Sequence, residues 1–231
     1  NGNLAAQVLG FVGTDDKGLD GLEMVLDDEL KGGIQKELVA TDRKGNAIFG
    51  SVLSKYLPDK GKSVTLTIDA SIQFIAERAL DKAMEDTGAK HASVIVMDPK
   101  TGEILAMANR PTYDPNHYSQ GSEEDFKIAV TNLYEPGSTF KPIIASAALA
   151  SGKWKLDQVY NDKGSFAANG HVMQNWNGEG YGPVRLIDIL KFSINTGMAE
   201  IGTTTGADIL SKYVRNYGFG SKTGIELPGE G

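Results

Sequence analysis

From Ile143 to Leu149 the chain offers no polar face: Ile143, Ile144, Ala145, Ala147, Ala148 and Leu149 surround a lone Ser146. A helix over Phe140–Leu149 that is apolar all round has to lie at the centre of a folded domain, covered by other layers. The 231-residue chain has the material for that cover. Its hydrophobic fraction is 40% and its charged fraction 23%, as in an ordinary soluble domain and unlike a disordered one. The length suits one large domain or one and a half ordinary ones.

The flanking sequence divides into two textures. Residues 1–60 are rich in Gly and Asp and only weakly periodic. Met24, Val25, Leu26 and Leu30 suggest one short helix stopped by Gly32-Gly33, and Lys60-Gly61-Lys62 reads as a linker. After it, Val64–Ile68 alternates apolar residues with threonine, which predicts a half-buried strand. Asp69 is a suitable N-cap for a helix whose apolar face is Ile72, Ile75, Ala76, Ala79, Leu80, Ala83 and Met84, ended by Gly88. Val94–Met97 and Ile104–Met107 read as two buried strands, joined into a hairpin by Asp98-Pro99-Lys100-Thr101-Gly102. Further helices are expected near Leu186–Lys191 and over Ala207–Tyr217, the latter with Ile209, Leu210, Tyr213, Val214 and Tyr217 on one face.

Several function classes are disfavoured at once. The formal charge is −7 with lysines scattered, whereas nucleic-acid binding wants a clustered basic face, so no nucleic-acid partner is expected. There is no cysteine, hence no disulfide framework and no thiolate metal site. No run approaches about 18 uninterrupted apolar residues, and nothing at the start resembles a signal peptide. Asn1-Gly2-Asn3-Leu4 reads as a cut into a longer chain, so an upstream anchor is expected to be missing. His91, His117 and His171 have no partners at metal-ligand spacing, and no HExxH, Walker or GxSxG motif occurs. Each histidine is expected to be a surface or hydrogen-bonded residue, and no metal or cofactor is expected.

Ser138-Thr139-Phe140-Lys141 opens the apolar helix. Residues three apart share a helix face, so Lys141 can reach the Ser138 hydroxyl. Pro136-Gly137 fits ahead of the helix and Pro142 fits its first turn. Ser138 would then sit where unpaired backbone N–H groups point outward, which suits a developing oxyanion. A lysine at the edge of such a core loses water, its pKa falls, and it can act as a base toward serine. By itself an SxxK is weak, since a chain this long holds about one by chance; with nothing else beside it, an N-cap serine and a solvated lysine would be the better reading. Support comes from Ser193-Ile194-Asn195, the only Ser-x-Asn in the chain. Its hydroxyl can relay a proton and its amide can hold a carbonyl, although Asn195-Thr196-Gly197 also has the character of a turn.

Here a family emerges. Tyr134-Glu135-Pro136-Gly137-Ser138-Thr139-Phe140-Lys141-Pro142 resembles the nucleophile segment of class B penicillin-binding proteins, whose superfamily carries SxxK, SxN and KTG motifs. Gly10-Phe11-Val12-Gly13, Leu66-Thr67-Ile68-Asp69, Met97 through Met107, and Tyr217-Gly218-Phe219-Gly220 resemble the same family in order, so the resemblance spans nearly the whole chain. It implies an α+β fold of the penicillin-binding serine-transpeptidase, β-lactamase-like type: an antiparallel sheet flanked by helices, here incomplete. Residues 1–60 would end the non-catalytic pedestal module and residues 61–231 would begin the transpeptidase domain.

The resemblance also implies a peptidoglycan DD-transpeptidase acting on D-Ala-D-Ala stem peptides. Ser138 would be the nucleophile, Lys141 its base, Ser193 a proton shuttle and Asn195 a substrate-amide ligand, with Gly137 and Ser138 beside the substrate. No cofactor or metal is implied. β-Lactams would acylate Ser138, and a membrane-embedded glycan polymerase would be a partner. The parent would sit at the extracytoplasmic face of the bacterial membrane, held by an N-terminal transmembrane helix outside this chain, in the division or sporulation branch of wall synthesis. A β-lactamase or β-lactam sensor, and a non-catalytic cell-wall scaffold, stay open as rival readings. Lys222-Thr223-Gly224 spells the third motif but follows a Gly-Phe-Gly turn and runs into Pro228-Gly229. It is expected to be a loop, with the true third motif beyond residue 231 and a chain ending there inert.

Overall fold

The computed structural model describes residues 2–32, 36–56, 60–126, 129–131 and 133–230. Its contacts divide the chain into two compact units, one of residues 1–133 and 225–231, the other of residues 134–224. Among the described residues every strand pairing is an antiparallel two-stranded ladder.

The first unit contains α1 (Ala6–Leu9), α2 (Gly21–Val25), α3 (Asp27–Leu30), β1 (Lys36–Thr41), β2 (Ala47–Tyr56), α4 (Ala70–Thr87), β3 (Ala92–Met97) and β4 (Ile104–Arg110). The single helix expected near Met24–Leu30 is two, because Leu26 leaves helical geometry between α2 and α3; Gly33, half of its proposed stop, lies outside the described residues. Val64–Ile68 does not join a ladder. It is irregular, with a bend at Thr67, and is tied to β4 by the Thr67 hydroxyl donating to Ile104 O (2.6 Å) and Asp69 N to Leu105 O (2.9 Å).

Asp69 caps α4 as expected, its carboxylate accepting from Ser71 N and Ile72 N, and Gly88 ends the helix at φ 67°. The buried face is another matter. Ile75 is 65% exposed, while Gln73, Ala76, Glu77 and Leu80 are buried. Gln73 spends its amide on the β4 backbone, donating to Met107 O (2.9 Å) and accepting from Met107 N (2.9 Å), as a neighbouring strand would. Glu77 accepts from Ala5 N and from Gln73 and faces Arg110. Polar residues that complete backbone pairing belong inside, and that turns the helix away from its most apolar stripe. The β3–β4 hairpin forms around Asp98, which accepts from Lys100 N. Only β4 is buried: in β3, Ile95 and Met97 remain about half exposed.

The second unit carries the apolar helix. A 3-10 turn, Gly137–Phe140, leads into α5 (Lys141–Ala150), followed by β5 (Val159–Asp162), β6 (Ser165–Ala168), β7 (His171–Gln174), β8 (Gly182–Arg185), α6 (Leu186–Lys191), α7 (Asn195–Thr205) and α8 (Ala207–Asn216). α5 packs on α6, α7 and α8. Its core includes Ala145, Ala148, Trp154, Leu186, Ile189, Ile194 and Ile201. Ile189, Ile194 and Ile201 are fully buried, each contributing roughly 1.5–3 kcal/mol of transfer free energy. Gly197 lets α7 close on α6, since a Cβ there would lie 2.7 Å from Ile189 Cγ1 and 2.8 Å from Cδ1. Ile189 is itself enclosed by the core and gives way only by displacing its neighbours. Gly197→Ala should therefore destabilise the protein by about 1–3 kcal/mol, despite alanine's better helix propensity. Chemical unfolding measures this, and a neutral or stabilising effect would mean that α6 and α7 are not in this contact.

Candidate active site

Three helix ends meet in the second unit. Gly137 takes φ 59° and opens the 3-10 turn that bears Ser138, which is exposed. In a 3-10 turn residues i and i+3 eclipse, so Lys141, the first residue of α5, lies over the same face. α6 ends after Lys191 in a Schellman motif: Ile194 N donates to Ile189 O (2.9 Å) and Ser193 N to Leu190 O (3.2 Å). That motif needs a left-handed residue, normally glycine, and Ser193 fills it at φ 53°. A non-glycine residue there costs about 1–2 kcal/mol.

The strained residue aims two oxygens at one cation. Lys141 Nζ donates to Ser193 O (2.8 Å), Ser193 Oγ (2.9 Å) and Asn195 Oδ1 (2.8 Å). Ser193 Oγ in turn donates to Ser138 Oγ (2.8 Å). The four residues singled out by SxxK and SxN are thus one hydrogen-bonded chain, and it runs from Lys141 to Ser138 through Ser193. Burial pushes the Lys141 pKa below the ordinary lysine value. Hydroxyls both donate and accept, so the chain can pass a proton either way. An open groove of about 490 Å³ borders it, lined by Lys141 and Asn195 with Ile144, Met173 and Met198.

Asn195-Thr196-Gly197 is not a turn: it begins α7. Behind it is a polar cluster that sequence reasoning missed. Asp162 accepts from Thr196 Oγ1 (2.6 Å), Asn175 Nδ2 (2.7 Å), Gly164 N and Tyr181 N (2.9 Å each). Burial pushes the Asp162 carboxyl up, but these hydrogen bonds outweigh it and hold the pKa below the usual value. Asn195 Nδ2 donates to Gln174 O (3.1 Å). In the sequence Asp162-Lys163-Gly164 and Asn175-Trp176-Asn177-Gly178 carry only turn signals, and nothing there distinguishes a buried carboxylate.

The remaining candidates lie elsewhere. Lys222 is exposed, in a segment that is neither strand nor helix, so Lys222-Thr223-Gly224 does not occupy a strand. His117 pairs with Asp114 (3.0 Å), and His91 and His171 are exposed.

With this geometry in hand the chain can be set beside known proteins. The penicillin-binding protein transpeptidase domain matches residues 92–231. The chain belongs to the penicillin-binding protein transpeptidase family. It is 39% identical to stage V sporulation protein D of Bacillus subtilis and 30% identical to the peptidoglycan D,D-transpeptidase FtsI of Escherichia coli, in each case over 100% of its own length. It spans only 36% and 38% of those two proteins. The crystal structure of penicillin-binding protein 2X from Streptococcus thermophilus superposes at a TM-score of 0.85 with 29% identity, covering 100% of this chain and 36% of that one. The expected fold class is therefore that of the family, with helices and antiparallel ladders.

Ser193 gives a test that separates stability from chemistry. Ser193→Gly relieves the left-handed strain of about 1–2 kcal/mol, offset in part by about 0.4–1 kcal/mol of added unfolded-chain entropy, while removing the hydroxyl between Lys141 and Ser138. The variant should unfold at a denaturant concentration no lower than the parent. A clear loss of stability would mean that the hydroxyl outweighs the strain.

Proposed function

We propose that the full-length protein is a peptidoglycan D,D-transpeptidase working through a Ser-Lys acyl-enzyme. The observation that carries this reading is the hydrogen-bonded chain Ser138–Ser193–Lys141–Asn195, in a member of the penicillin-binding family. Lys141, when neutral, draws the Ser138 proton through the Ser193 hydroxyl as Ser138 Oγ attacks the carbonyl of the penultimate D-Ala. The C–N bond breaks and the terminal D-Ala departs with a proton returned through Ser193. An amine of a neighbouring stem then attacks the ester, releasing Ser138 and forming the cross-link. Asn195 Nδ2 holds the substrate's amide oxygen, exchanging its Gln174 partner, and Gly137 leaves backbone room beside the nucleophile. The chemistry needs neither metal nor organic cofactor.

The wider biology follows the same reading. Residues 1–60 are the end of a pedestal and residues 61–231 the start of the transpeptidase domain. The enzyme acts at the extracytoplasmic face of the membrane, anchored by a helix outside this chain; among the described residues no helix is long and apolar enough to cross a membrane. A membrane-embedded glycan polymerase is its partner. Likeness to stage V sporulation protein D supports the sporulation or division branch. The third motif lies beyond residue 231.

β-Lactams imitate the stem peptide and are trapped on Ser138. The full-length protein should gain one covalent penicillin, mapped by mass spectrometry to the peptide holding Ser138, and Ser138→Ala should gain none. An adduct on Ser193, or on no residue, would sink the assignment.

Lys141 is tested by charge. A base must be neutral, and burial favours the neutral amine. The acylation rate should therefore climb as pH rises and level off below the free-lysine pKa of about 10.4. Arginine stays protonated at any usable pH. Lys141→Arg should thus lose about as much as Lys141→Ala, on the order of a thousandfold or more. Acylation by Lys141→Arg near the parent's rate would mean that only a fixed positive charge is needed.

A further inference from the structure

α7 begins without a cap of its own. Its N-cap residue is Ile194, which has no side-chain oxygen, yet the first N–H groups of a helix need acceptors. Asn175 supplies one from outside the helix. Its Oδ1 accepts from Asn195 N (3.0 Å) and Thr196 N (3.2 Å). The amide cannot turn over, because Nδ2 donates to Asp162 Oδ2 (2.7 Å) and Glu179 O (2.8 Å). A flipped amide would set oxygen against carboxylate and N–H against N–H. Asn175 is 4% exposed and Asp162 is 3% exposed, and with both N–H groups and the oxygen engaged Asn175 has nothing left to offer a substrate.

We propose that Asn175, locked in orientation by Asp162, is the positioning residue that holds Asn195 against the Lys141 ammonium. The inference rests on the Ser-Lys reading above. Residue 195 is fixed at both ends by one short stretch of chain: its backbone N–H by Asn175 Oδ1, and its side-chain Nδ2 by Gln174 O. The opposite end of the same amide, Oδ1, accepts from Lys141 at 2.8 Å. Releasing the helix start lets the Asn195 side chain leave both the lysine and the substrate.

The test is a double-mutant cycle in the full-length protein, read as the second-order rate of acylation by a fluorescent penicillin alongside the melting temperature. Asn175→Ala should slow acylation roughly ten- to hundredfold in the parent background. Made on top of Asn195→Ala, it should slow acylation less than about threefold, since residues acting as one unit are not additive. The melting temperature should fall by the same amount in both backgrounds. A parent-like rate for Asn175→Ala, or an equal loss of rate in both backgrounds, would overturn the inference and leave Asn175 a structural cap. Should Asn175→Ala not fold, the isosteric Asp162→Asn makes the same comparison: slower acylation in the parent background and little change on Asn195→Ala. A parent chain that penicillin does not acylate at all brings down the Ser-Lys reading, and this inference with it.

Discussion

The second unit is organised around one ammonium group. Lys141 Nζ has three protons to donate and three acceptors at 2.8–2.9 Å, all from two residues, Ser193 and Asn195. A cation drawn out of water is tolerated only when its donors are satisfied, so the first turn of α5 and the α6–α7 junction must be built to fit one another. That requirement accounts for the least comfortable backbone in the region. Glycine at position 193 would end α6 without strain but would remove one of the three acceptors and the link to Ser138. Serine is kept, at a cost in backbone energy.

All four polar residues of the site lie at helix ends, and this follows from what helix ends offer. Inside a helix the backbone groups are consumed by the helix itself. At the end of α6 the Ser193 carbonyl is free to accept a hydrogen bond from Lys141. At the start of α7 the first N–H groups need acceptors from elsewhere, which lets a residue twenty positions earlier, Asn175, control where residue 195 begins its helix. Ile194, fully buried between Ser193 and Asn195, nails the junction to the core formed by Ile189 and Ile201. Apolar packing fixes the backbone, and the backbone aims the polar groups on either side of it.

What could be read from the sequence and what could not divide along the range of the forces involved. Ser138, Lys141, Ser193 and Asn195, the α4 cap at Asp69 and the β3–β4 hairpin rest on local spacing or turn chemistry, which sequence displays. The face of α4 does not. Its apolar stripe favours Ile72 and Ile75, but Met107 needs a partner for its peptide group, and Gln73 provides it from 34 residues away. The same holds for α7, whose helical start looks like a turn because its cap belongs to β7's continuation. β5, β6, β7 and β8 are four residues each, too short for alternation to stand out, and Asp162 looks like any turn aspartate until four donors are seen around it.

Two lysines in this chain sit in motifs of the same family, and their surroundings separate them. Lys141 stands at the head of a central helix, partly stripped of water, with every donor occupied by a named acceptor. Lys222 is exposed on a segment without regular structure. Residues just before it are engaged with α5 instead. Tyr217 Oη donates to Ser146 Oγ (2.9 Å), and the Phe219 ring meets Phe140 edge-on at 5.0 Å. Both contacts brace α5 and the turn that carries Ser138. The Gly-Phe-Gly stretch is thus explained by what it supports, and the three letters after it need no catalytic role. A lysine becomes a base through desolvation and fixed partners, and spelling alone supplies neither.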